Sequence, residues 1–282
     1  MKILIFGCGQ GGQAVKNWLP ADSTLIAFVD NDPSKWGTQI ENIPVIAPAQ
    51  ILTYAPDLIW IAVLNREAAL SIERQLTDMG YIGKIQSIIP LHDHMDIRLA
   101  HLRLLAREIN ERHLPGAVAE LGVYQGVFAA EINRLFPDRP IYLFDTFQGF
   151  SDKDLETEKK QTACTPSFKK DFKDTSIEKV LAHLPYPEQA IICPGYFPET
   201  LPPDLPDLAF VSLDPDLYEP VYQGLCAFWP RLIPGGIILI HDYNSTQFTG
   251  AGKAVRTFCR ENHLMVIPLV DLHGSAILMK QS

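Results

Sequence analysis

The sequence predicts an α/β protein built on two parallel sheets in tandem. Two observations carry that expectation. Short apolar runs, such as ILIF at 3–6, LIAFV at 25–29 and LIWIAV at 58–63, alternate with stretches of helical spacing. Strands separated by helices make a parallel sheet. The series then restarts: a glycine turn follows the first run of each half, GCGQGG at 7–12 and GVYQG at 122–126. A length of 282 residues also favours two domains.

In the first half, KILIFG reads as a buried strand, GGQAVKNWL as a helix, and TLIAFVD and DLIWIAV as the next strands. REAALSIERQLTDMG has helical spacing and stops at Gly80, and KIQSII is a later strand. Residues 91–113 begin polar and His-rich and continue as a helix with Leu102, Leu105 and Ile109 on one stripe, closed by Leu-Pro-Gly at 114–116. The domains are therefore expected at 1–90 and 116–282, with a linker helix at 91–115.

The second series starts at Ala117. Its strands are AVAELG, PIYLFD, QAIICPG, LAFVSLD and GGIILIHD, followed by HLMVIPLV and SAILMK; helices are expected at 126–135, 175–184, 218–232 and 250–262. Segment 151–174 is rich in Lys, Asp, Glu and Thr with little apolar periodicity, so it is expected as a polar loop, either a lid over a site or a disordered stretch. Both halves are Rossmann-like in pattern, and no short internal repeat is present.

Composition narrows the function. Asp and Glu number 33 against 24 Lys and Arg, a net charge of −9 without a basic stripe, so nucleic acid is not an expected partner. The longest apolar runs are too short to span a bilayer, and the chain opens on a strand pattern rather than a secretory leader, so a cytoplasmic protein with no membrane partner is expected. Five scattered cysteines without a C-x-x-C pair indicate neither a zinc site nor a disulfide framework. Trp18, Trp36, Trp60 and Trp229 are spaced like packing residues.

Chemistry concentrates where strands end, the edge at which open α/β sheets bind ligands. Asp214 ends LAFVSLD, and His241 and Asp242 end GGIILIHD. Two carboxylates and an imidazole there suit a divalent cation or a proton transfer. Asp214, His241 and Asp242 are thus candidate ligands for Mg²⁺ or Mn²⁺, and Asp214 and His241 are candidate general bases. Asp216 fits a helix N-cap. Glu120, Gly122 and Gly126 form an E-x-G-x-x-x-G turn without a phosphate cradle, suited to S-adenosylmethionine, and Asp145 ends the next strand where an acid can accept both ribose hydroxyls. Thr146, Gly195 and Tyr196 complete that candidate donor site.

The first half carries its own candidate. Gly7, Gly9 and Gly12 fit G-x-G-x-x-G between strand and helix, and Asp30 stands near the spacing of a ribose-binding acid, a second nucleotide site. His92, Asp93, His94 and Asp96 look metal-like but lack a strand scaffold, and a polar loop whose Asp caps the next helix is the preferred reading.

Two resemblances sharpen these expectations. VDNDPSKWGTQIENIPVIAP at 29–48 resembles small Rossmann-like domains attached to bacterial sugar-modifying enzymes. AELGVYQGVFA, LFDTFQGFSD, FKDTSIEKV, PGYFPETLP, VSLDPDLYEP, PRLIPGGIILIHDY and GAGKAVRTF, in this order, resemble the macrocin O-methyltransferase family. That resemblance implies a class I methyltransferase fold in the second domain and methyl transfer from S-adenosylmethionine to a hydroxyl of a sugar or glycosylated metabolite. It also implies a divalent cation held at Asp214 and Asp242, with His241 standing where the best-known members carry an acid. A homo-oligomer is expected. Two rival readings remain: an NAD-dependent nucleotide-sugar oxidoreductase or epimerase, for which no Tyr-x-x-x-Lys pair is present, and a non-catalytic sugar-nucleotide binding protein.

Overall fold

A computed structural model describes residues 1–162, 172–272 and 274–281. The chain divides into two units, Met1–Ile97 with Val270–Leu272, and Arg98–Leu269 with the chain from 274 onward.

The first unit runs β1 (Lys2–Phe6), α1 (Gln10–Trp18), β2 (Thr24–Val29), β3 (Gln39–Ile40), β4 (Ile43–Ile46), α2 (Ile51–Tyr54), β5 (Leu58–Ile61), α3 (Arg66–Asp78), β6 (Lys84–Ser87) and α4 (Ile89–His94). Its sheet has the order β3-β4-β2-β1-β5-β6, parallel except for the β3–β4 hairpin. Ile3, Leu4, Ile5 and Phe6 are all buried because helices cover both faces of β1. The β3–β4 hairpin lies in a stretch with no apolar run long enough to announce it. His92, Asp93 and His94 lie on α4, not in a loop, and Asp93 pairs with Arg66 at 2.6 Å. Trp36 is 41% exposed and its indole N–H donates to the Asp30 carbonyl, so it is a surface anchor rather than a core residue. Val270–Leu272 belong to this unit, where Leu272 joins the core of Ile3, Ile5 and Phe28, although these residues were expected in the second domain.

The second unit takes α5 (Ile97–Glu111) from residue 98 onward, then β7 (Ala117–Leu121), α6 (Val127–Leu135), β8 (Ile141–Asp145), α7 (Asp152–Thr162), α8 (Ile177–His183), β9 (Ala190–Pro194), β10 (Leu208–Leu213), α9 (Tyr218–Phe228), β11 (Leu232–Ile240), α10 (Thr249–Glu261), β12 (Ile267–Pro268) and β13 (Ala276–Met279). Among the described residues the sheet order is β12-β13-β11-β10-β7-β8-β9, with β13 antiparallel to β11 and to β12. Strand order reverses between β7 and β10, which opens a crevice at their carboxyl ends. AVAEL and LAFVSL are buried at every position, the mark of central strands covered on both faces.

Three elements differ from expectation. α5 is no free linker: Leu102, Ala106 and Ile109 pack with Val118 and Phe210 in the core of the second unit. α9 ends at Phe228, not 232, because the chain from Leu232 is already strand and pairs with Leu208. The polar segment after Phe150 is helical over α7. Its inward face is made by carboxylates, Asp154 and Glu158, rather than by apolar residues, so apolar periodicity gives no sign of it. Residues 163–171 of the expected lid, Cys164 among them, lie outside the described residues.

Candidate active site

The carboxyl ends of β7, β8, β9, β10 and β11 surround a pocket of about 230 Å³. Its walls include Tyr124, Phe150, Phe172 and Phe197, and its polar rim includes Asp145, Asp154, Asp214, Asp216 and His241. Gly122, Thr146, Gly195 and Tyr196 also line it.

The donor-side residues divide on inspection. Asp145 ends β8, and its two oxygens accept from the Tyr124 N–H at 2.8 Å and the Phe147 N–H at 2.7 Å. Burial raises its pKa, and these backbone donors work against that rise. Asp145 also lines the pocket, where a ligand hydroxyl could donate to it. Thr146 donates to the Gly149 carbonyl at 2.8 Å and so shapes the turn beneath the pocket. The Tyr196 hydroxyl donates to Asp154 at 2.8 Å, which ties the loop after β9 to α7. Gly122 sits at φ +88°, and a side chain there would collide with the backbone carbonyl of Asp214, so this glycine lets the β7 and β10 ends close together.

Glu120 and Gly126, expected with the donor site, do not line the pocket. Glu120 lies inside the sheet on β7, accepts from Ser212 Oγ at 3.0 Å, and has its pKa pushed up to about 8 by burial, against the pull of Arg98. Gly126 caps α6 at φ +82°, where a side chain would press on Val180.

The acids beyond β10 and β11 do meet. His241 Nδ1 is 2.9 Å from Asp214 Oδ1 and 2.8 Å from Asp242 Oδ2. Ligand atoms of the three residues lie within 4.8 Å of one another. An octahedral ion bound at about 2.1 Å holds adjacent ligand atoms about 3 Å apart, so this donor set fits a small divalent cation. Burial alone would raise the Asp214 pKa, but His241 and Arg98 outweigh it and hold Asp214 low, while Asp214 and Asp242 raise His241 against its burial.

Two residues were missed in the sequence. Asp216 is not the α9 cap, since the N-cap is Leu217 and makes no side-chain cap bond. Asp216 instead takes φ +63° and turns its carboxyl into the pocket beside Asp242. Burial and the charges of Asp214 and Asp242 push its pKa well above the ordinary value. The D-x-D spacing was the available signal. Arg98, from α5, sits 3.0 Å from Asp214 Oδ2 and has no sequence signal at all.

α7 is fastened over this site by Glu158. One carboxylate oxygen accepts from the Tyr218 N–H at 2.7 Å and the other from the Gly250 N–H at 3.1 Å. A single buried side chain thus caps α9 and α10, neither of which has a local side-chain cap.

In the first unit, Gly7 adopts φ +100° and a side chain on Gly12 would strike the Gly7 carbonyl, so the turn has the tight geometry its pattern implies. Asp30, however, is engaged on both oxygens: Oδ1 by the Asp32 N–H at 2.9 Å, and Oδ2 by the Cys8 thiol at 3.0 Å and by Lys35 at 3.0 Å.

Residues 94–281 match the family model described as macrocin-O-methyltransferase (TylF), and residues 1–85 match the C2185-like N-terminal model. Among curated proteins, a mycinamicin III 3''-O-methyltransferase from Micromonospora griseorubida is 28% identical over 80% of this chain and 90% of its own length. An 8-demethyl-8-(2,3-dimethoxy-alpha-L-rhamnosyl)-tetracenomycin-C 4'-O-methyltransferase from Streptomyces olivaceus is 28% identical over 66% of this chain and 73% of its own. Of the solved structures, the O-methyltransferase NovP superposes with a TM-score of 0.56 at 23% identity, covering 66% of this chain and 80% of NovP. Calicheamicin methyltransferase CalS11 superposes at 0.53 and 21%, covering 77% of this chain and 94% of its own.

Proposed function

The chain belongs to the macrocin O-methyltransferase family, and from that premise we propose that it methylates a sugar hydroxyl of a nucleotide sugar or glycoside, with S-adenosylmethionine as donor. The relatives named above are 3''-O- and 4'-O-methyltransferases, and one name includes a rhamnosyl group. No described helix is long and apolar enough to cross a membrane.

When bound, S-adenosylmethionine supplies a methyl group already activated on a sulfonium. This chain's part is to hold the donor, aim the acceptor and remove its proton. Positioning of this kind contributes on the order of 7–11 kcal/mol. Asp145 accepts from the ribose hydroxyls, and Tyr124, Phe150, Phe172 and Phe197 offer apolar walls to the base and exclude water. Gly195 and Tyr196 flank the base.

Asp214 Oδ1, His241 Nδ1 and Asp242 Oδ2 would hold a divalent cation, Mg²⁺ or Mn²⁺, which when bound polarises an acceptor hydroxyl. That assignment leaves Asp216 as the base. Asp214 is a poor proton acceptor, with one oxygen on Arg98 and the other on His241. Asp216 lines the same pocket and is not among the three residues that would hold the ion, which leaves it for the base's role. Its carboxylate takes the proton from the acceptor oxygen.

The observation that carries this reading is the convergence of Asp145, Asp214, Asp216 and His241 on one pocket at the strand-order reversal. The test uses purified protein and methyl-labelled S-adenosylmethionine against a panel of nucleotide deoxysugars and glycosides. Label should appear on a sugar oxygen, depend on Asp216, and fall on chelation until Mg²⁺ or Mn²⁺ is restored. Full turnover by exhaustively chelated enzyme removes the cation. Substrate-dependent reduction of NAD, with no methyl transfer, would replace this function by the oxidoreductase reading.

A further inference from the structure

The side chain of Arg98 is 12% exposed, and its Nη1 lies 3.0 Å from Asp214 Oδ2. Its guanidinium carbon stands 3.8 Å over the centre of the Phe128 ring. Its Nε and Nη2 are buried and have no hydrogen-bond partner among the described residues. The stack and the ion pair fix the group in one place. The guanidinium places a positive charge within the second unit.

The two oxygens of Asp214 therefore face two different cationic positions. Oδ2 faces Arg98, and Oδ1 faces the space shared with His241 and Asp242. Arg98 holds the carboxylate so that only Oδ1 is presented, and partners of this kind orient ligating groups. It also cancels one negative charge beside the site. The three ligands supply two carboxylate charges, and Arg98 sets one positive charge against them.

We propose that Arg98 is a resident rival to the divalent cation, keeping the ion's affinity low until an acceptor adds its own oxygen donors. The ion would then enter with the acceptor rather than ahead of it. Arg98 is a positioning and charge-setting residue, and the proposal rests on the cation reading of Asp214, His241 and Asp242.

The experiment titrates Mn²⁺ into the full chain and follows the free ion by electron paramagnetic resonance, with no acceptor present. Melting curves and S-adenosylhomocysteine calorimetry confirm that each variant is folded. Arg98→Met should bind Mn²⁺ at least about tenfold more tightly than the wild type, because the opposing charge is gone. Arg98→Gln, which keeps a hydrogen-bond donor, should do the same and decides the matter if the methionine variant is unfolded. Arg98→Lys should stay within about threefold of the wild type, because charge rather than the planar fork sets the affinity. Equal or weaker binding by the neutral variants, with Mn²⁺ still bound by the wild type, overturns the role of Arg98 and leaves the cation site standing. Binding by Arg98→Lys as tight as by Arg98→Met overturns the charge account. No Mn²⁺ bound by any form overturns the cation reading and this proposal together.

Discussion

The two units each place a glycine turn after their first strand and an acid after the second, and the two acids are held differently. In the first unit Asp30 is occupied by Cys8, Asp32 and Lys35. In the second, Asp145 is held by backbone N–H groups, those of Tyr124 and Phe147 among them, and opens onto a cavity lined by three further ionisable groups from the ends of β10 and β11. The same backbone device can thus serve a nearly self-satisfied scaffold or a reactive centre. The difference lies in the partners: Asp30 is paired with the Lys35 cation and the Cys8 thiol, whereas Asp145 has backbone donors and lines a cavity.

The sharpest way to break this contrast is to remove the proton acceptor. Asp216→Asn should lower kcat by about 10²–10⁴-fold while leaving S-adenosylhomocysteine affinity unchanged. A loss confined to KM would move the base elsewhere. Asp145→Ala should weaken S-adenosylhomocysteine binding by roughly 2–4 kcal/mol in calorimetry. Unchanged affinity would make Asp145 a turn-holding residue like Asp30.

Glu158 tests whether buried carboxylates are structural. Glu158→Ala uncaps α9 and α10 together and should cost about 2–3 kcal/mol in urea unfolding. An unaltered urea midpoint would show that water caps both helices equally well.

Glu120 supplies a pH test. Its folded pKa of about 8 lies above its ordinary value of 4.5, so the folded state holds the proton more tightly. Stability therefore falls as pH rises through that window. Glu120→Gln should match the wild type in melting temperature near pH 4.5 and exceed it at pH 9. Parallel melting curves at all pH values would place Glu120 in a better-solvated setting.

The smallest effect is expected in the first unit. Gly9→Val should leave S-adenosylhomocysteine binding within about twofold of the wild type, since the donor site lies in the other unit. A rise in acceptor KM in that variant would give the glycine turn a ligand. No change in any kinetic constant would leave it a scaffold.

How much was legible in the sequence follows from which groups announce themselves. Period and punctuation marked nearly every buried strand, because a strand covered on both faces must be apolar throughout, as AVAEL and LAFVSL are. Strand-end acids were legible for the same reason: Asp145, Asp214 and Asp242 each interrupt an apolar run at the ligand edge. α7 was not legible, because its buried face is Asp154 and Glu158, and a carboxylate in a sequence reads as exposed until its partners are known. Glu120 read as a ligand because its place in a strand-end motif outweighed the burial that only the neighbouring Ser212 reveals.

By itself, then, the sequence determined the α/β order, the break into two units and the acids at the strand ends, since local pattern and chain order suffice for these. The tertiary structure alone decided that Asp216 turns into the pocket rather than capping its helix. It also brought Arg98, 116 positions away, onto Asp214 and joined two helix starts through Glu158. Such pairings depend on which side chains the packed sheet and helices bring within hydrogen-bond reach, and no local spacing encodes that distance.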